Sequence, residues 1–104
     1  MRESPFGILA LINRQFTTML QIKELKESGM PKAVIANTIG MAPFILNKYL
    51  PQTDCFRKSE IINVLEGCAR VDYDIKKGNI KPEFGVELLI IESSLPSKQI
   101  GGLH

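Results

Sequence analysis

Histidine is almost missing from this chain. The single one, His104, stands at the C-terminus, so no zinc set can be assembled and no serine or cysteine nucleophile has an imidazole base near it. Cysteine is nearly as scarce. Cys55 and Cys68 lie thirteen positions apart without a CxxC spacing. Cys68 falls on an apolar stripe and reads as a small core residue, while Cys55 lies in a connecting segment. No apolar run approaches the ~18 residues that span a bilayer, and the N-terminus lacks a signal-peptide pattern. The expectation is a cytoplasmic protein in a reducing compartment, without membrane contact. There is no GxxxxGK[ST] phosphate cradle, and Glu60, Glu66, Asp72, Asp74, Glu83 and Glu87 are spread out without a glycine-rich loop to organise them. The sequence therefore predicts no catalytic residue, no cofactor and no metal. A net charge of +2, with acids and bases interspersed, is too small to imply nucleic acid by itself.

What the chain does contain is helical periodicity. At 104 residues it suits one domain, or a fragment of a larger protein, and such a domain buries roughly two-thirds of its unfolded surface. Ser4-Pro5 is a cap followed by proline at the first helical position. Leu9, Ile12, Phe16 and Leu20 then form a stripe that Ile8, Leu11, Ile22 and Leu25 broaden, as for a helix touching more than one neighbour. Gly29 suits a left-handed cap. Pro31 opens a short helix with Val34, Ile35 and Ile39, Gly40 turns the chain, and Pro43 opens another with Phe44, Ile45, Leu46, Tyr49 and Leu50. Pro51 is expected to end or kink it, leaving Gln52 to Lys58 as a connection. A fourth helix runs from about Ser59 to Lys77 on Ile61, Val64, Leu65, Cys68, Val71 and Ile75, with Gly78 as its cap. Pro82 opens a fifth, apolar nearly all round. Pro96 and Gly101-Gly102 mark residues 96–104 as a flexible tail after a domain of residues 1–95. The fold class is all-α, with five helices in a single domain.

Three constellations bear on function. Ile35, Ala36, Ile39, Gly40, Met41 and Leu46 match the packing scheme of a helix-turn-helix. The first turns of its second helix are Pro43, Phe44, Ile45 and Leu46, however, and only Asn47 and Lys48 are suited to read base edges, which favours packing over DNA reading. Asp72 lies on or beside the stripe of Ile61, Leu65 and Cys68, with Lys76 one turn on. Two readings stay open: a solvated i,i+4 pair, or a partly buried carboxylate that satisfies donors of another helix or of a partner. In the fifth helix, the regular spacing of Phe84, Leu88, Ile91 and Leu95 assigns that set to the core. Val86, Leu89 and Ile90 are then available to a neighbouring chain.

The order and spacing of these features resemble a known family. Arg14-Gln15-Phe16, Ile35-Ala36, Ile39-Gly40, Pro43-Phe44 and Lys48, then Asp72, Ile75, Lys76, Gly78 and Glu87-Leu88-Leu89, are similar to the C-terminal collar domain of the bacterial DNA polymerase III delta subunit, over roughly residues 8–92. Two positions depart from its pattern: Arg57 stands where a Ser or Thr cap is usual, and Lys81 where a small or acidic one is. The resemblance implies a non-catalytic oligomerisation domain of the clamp loader that places the sliding clamp on primed DNA, in a subunit that is not itself an ATPase. Its partners would be other clamp-loader subunits, with clamp and DNA engaged only through the full complex. Val86, Leu89 and Ile90, with Asp72 and Lys76, are then the expected interface residues. The alternative is a helix-turn-helix transcriptional regulator.

Overall fold

The computed structural model describes residues 4–94. It consists of α1 (Pro5–Glu27), α2 (Lys32–Ile39), α3 (Pro43–Asp54), α4 (Lys58–Lys76) and α5 (Pro82–Ser94), with no strand among the described residues. The tail expected over 96–104, together with Leu95 and His104, lies outside them.

The punctuation of the sequence sets most of these boundaries. The Ser4 hydroxyl accepts the Gly7 N–H at 3.1 Å, capping α1 just ahead of Pro5. Gly29, Gly40 and Gly78 follow α1, α2 and α4 with φ of 80°, 86° and 78°, a region where a side chain would be strained. At all three ends the chain closes back on the helix. Met30 N–H reaches the Leu25 carbonyl at 3.2 Å, Met41 N–H that of Ala36 at 3.0 Å, and Asn79 N–H that of Asp74 at 2.8 Å.

One boundary differs from expectation, and one is capped in an unusual way. Helix α3 does not stop at Pro51 but continues to Asp54, so the connection shrinks to residues 55–57. Proline cannot donate to the Asn47 carbonyl, but both residues lie on the solvent face, where water can satisfy that oxygen. The extra turn carries Thr53 into full burial, its hydroxyl donating to the Tyr49 carbonyl at 2.8 Å. It also delivers Phe56 edge-on to Phe16, with ring centroids 5.3 Å apart. Helix α4 starts without a Ser or Thr cap. The Glu60 carboxylate accepts the Arg57 N–H at 2.6 Å, which is half of a capping box. A guanidinium has no acceptor to complete the other half.

The helices close over two cores that share α1. Leu9, Phe16 and Met19 of α1 meet Ile61, Val64, Cys68, Val71 and Ile75 of α4 and Val86 and Leu89 of α5. Farther along α1, Ile22 meets Ile35 and Ala36 of α2 and Leu46 of α3. At about 100° per residue, Ile22 points roughly 140° away from Leu9 around the helix axis. The wide apolar face of α1 is therefore two faces in succession. Tyr49 packs against both cores and joins them. The expected stripe missed Met19, which is buried, and included Leu11, which is exposed.

Candidate interaction surface

Helix α5 lies on α1 and α4 through the side that carries Gly85, Val86 and Leu89. A Cβ on Gly85 would sit 2.7 Å from Val71 Cγ1 and 2.8 Å from Ile80 Cδ1, so even a methyl there would force these side chains to shift. With Gly85 as the point of closest approach, the inward arc of α5 is fixed. Val86 and Leu89 fall within it and are only 3% and 1% exposed.

This reverses the expected division of the helix. The regular set of Phe84, Leu88 and Ile91 faces outward, with Phe84 55% and Ile91 57% exposed. The fourth member of that set, Leu95, is outside the described residues. Val86 and Leu89, expected to be available to a neighbour, are committed to the domain's own core and present no surface. Ile90 is exposed, as expected, on the flank of the outward stripe. Glu83 and Glu87 border the same stripe and are exposed or nearly so. Periodicity alone could not choose between two apolar faces of one helix. The signal was Gly85, a residue without a side chain beside Val86, marking the face that comes closest to another helix.

Asp72 and Lys76 form an ion pair within α4, with Lys76 Nζ 3.0 Å from Asp72 Oδ2. The Asp72 side chain is 38% exposed, and among the described residues it pairs with this lysine rather than with a donor on another helix. Of the two readings left open, the geometry is that of the i,i+4 pair. The carboxylate stands at the rim of an open groove of about 290 Å³ between α1 and α4, which Phe6, Leu9, Ala10, Asn13, Cys68 and Ala69 line. Because Val86 and Leu89 are buried in the core, the five expected interface residues do not form one exposed surface.

The helix-turn-helix-like pair packs as its sequence suggests at Ile35, Ala36 and Leu46, all buried. Phe44 takes no part in that packing: it is 64% exposed, on the outward side of α3 with Asn47, Lys48 and Pro51. No group of three or more His, Cys, Asp or Glu among the described residues is placed to hold a metal ion, and no described helix is long and apolar enough to cross a membrane. Cys68 is buried and Cys55 is exposed.

Comparison with solved structures first defines the class. The fold matches the Bacillus subtilis DNA clamp loader delta protein (YqeN) with a TM-score of 0.78 and 30% identity, over 88% of this chain and 27% of that one. The DNA polymerase III subunit delta of Bacillus subtilis (strain 168) is 31% identical over 90 residues, or 86% of this chain. Residues 1–93 match the family model described as DNA polymerase III delta subunit, C-terminal domain, and the chain belongs to that family. It spans about a quarter of its relative's length, 26%.

Proposed function

We propose that this domain is a non-catalytic assembly module of a clamp-loader delta subunit, holding that subunit to its neighbours in the cytoplasm while the loader places a sliding clamp on primed DNA. Clamp and DNA would be engaged by the complex as a whole rather than by this domain. The observation that carries the reading is the outward stripe of α5: Phe84, Leu88 and Ile91 remain uncovered on a helix whose opposite side already completes a core. Apolar side chains repeating along one exposed helix face suit burial against another protein. A regulator that reads DNA fits less well, because α3 leads with Pro43 and Phe44 where base readers belong.

The reading is tested by reconstituting a clamp loader with a delta subunit that carries this domain. Leu88→Glu should leave the helical circular dichroism unchanged while lowering incorporation at least tenfold, about the effect of a charge placed in an apolar interface. Ile90→Glu, on the flank, should have a smaller effect. Assembly of the Leu88→Glu protein at parental affinity would refute the α5 interface.

A further inference from the structure

We infer that the outward face of α5 takes a partner's apolar helical face flanked by lysine or arginine; this rests on the assembly role above and specifies the chemistry of the partner. Between Pro82 and Ser94 the sequence has three acids, Glu83, Glu87 and Glu92, and no base. Glu83 and Glu87 border the outward stripe and have no ion pair among the described residues. Four acids elsewhere are paired, Asp54 with Lys26, Glu24 and Glu27 with Lys58, and Asp72 with Lys76, while Glu66 and Asp74 have no ion pair among the described residues. What sets α5 apart is that its unpaired acids border an uncovered apolar stripe. The α5 face thus combines uncovered apolar area with unmatched negative charge, and a basic rim on the partner complements both.

The opposite chemistry exists in this same chain. Residues 28–53 contain no Asp or Glu, and their only charges are Lys32 and Lys48. Lys48 lies one turn beyond the exposed Phe44, so α3 presents an aromatic with a basic neighbour. Helix α5 packs on α1 and α4 around one core, while α2 and α3 pack on the later part of α1 around the other. A neighbour built to the same pattern would therefore meet α5 head to tail, through unlike surfaces rather than through a two-fold.

The test uses the 104-residue chain and two synthetic amphipathic helices with an identical leucine stripe, one flanked by lysine and one by glutamate. Fluorescence anisotropy at low salt should show the lysine-flanked helix binding roughly five- to tenfold tighter, with the preference shrinking as salt is added. Glu83→Gln with Glu87→Gln should abolish the preference. Glu83→Lys with Glu87→Lys should reverse it, with unchanged circular dichroism in both variants. Equal binding of the two helices, binding of neither, or a lysine preference that survives the glutamine variant would overturn the inference. No clamp-loader subunit enters this measurement, so its failure is distinct from a failure to assemble.

Discussion

The two cores of this domain are built on different terms. The core of α1, α4 and α5 joins segments far apart in the chain and buries ten side chains. The core of α1, α2 and α3 is drawn from residues 22–46 and buries only four. Helix α2 has eight residues and α3 twelve, lengths that are marginal for a helix alone in water, so their order depends on Ile22 and on Tyr49, which reaches both cores. The larger core holds the domain together. The smaller one is a local annex, and annexes of this kind open before the whole molecule does.

Matched truncations test that contrast most severely. Leu89→Ala in the larger core should cost about 2–5 kcal/mol and lower the urea midpoint equally for every probe. Leu46→Ala, an identical truncation in the annex, should speed amide exchange across α2 and α3 while α4 keeps its protection. If exchange rises equally in all helices, the two cores are one cooperative unit and the contrast falls. Next in size is Gly85→Ala, which forces a methyl against Val71 and Ile80 and should cost about 1–3 kcal/mol by overpacking. The same substitution at an ordinary exposed helix glycine would be stabilising, so the sign of the change in thermal midpoint decides whether α5 sits as close to α4 as described.

Smaller effects distinguish how the annex is tied down. Lys26 of α1 meets Asp54 at the end of α3 at 3.0 Å, with both side chains substantially exposed. Lys26→Ala should cost about 0.2–1 kcal/mol at low ionic strength and nothing measurable in molar salt. A loss that persists in salt would mean that the lysine stem packs rather than pairs. The smallest effect is expected at Asp72. Its partner is a lysine in the same helix, so Asp72→Leu should shift stability by no more than about 0.5 kcal/mol. A larger drop in the urea midpoint would reveal donors from another helix that the geometry does not show.

Much of this was legible in the sequence, and the limits are informative. Ser4-Pro5, Gly29, Pro31, Gly40, Pro43, Gly78 and Pro82 place the helix ends because each acts locally, through a missing N–H, a fixed φ or a permitted positive φ. Pro51 misleads by the same local logic. Burial of Thr53 and Phe56 beyond it is a tertiary gain that outweighs one lost backbone bond. Met19 and the inward side of α5 were missed for a related reason. A stripe drawn at constant pitch assumes one neighbour, and α1 changes neighbours midway. In α5 the apolar residues on both sides gave two equally good stripes, and only Gly85 separated them. The interface candidates inherited that error at Val86 and Leu89, and the outward Phe84, Leu88 and Ile91 took their place.

The turn of the buried side along α1 has a consequence for shape. One uninterrupted helix addresses both cores, so the number of residues between Leu20, its last to pack on the larger core, and Ile22 works as an angular gauge. Inserting a single alanine there would advance the later part of the helix by about 100° and 1.5 Å. Each core would still contain all its own side chains, but the pair α2–α3 would be carried around the axis relative to α4 and α5. The compass bearing between the exposed Phe44 and the exposed stripe of α5 is written in the length of α1, and a chain can alter either face by substitution yet can re-aim one against the other only by changing that count.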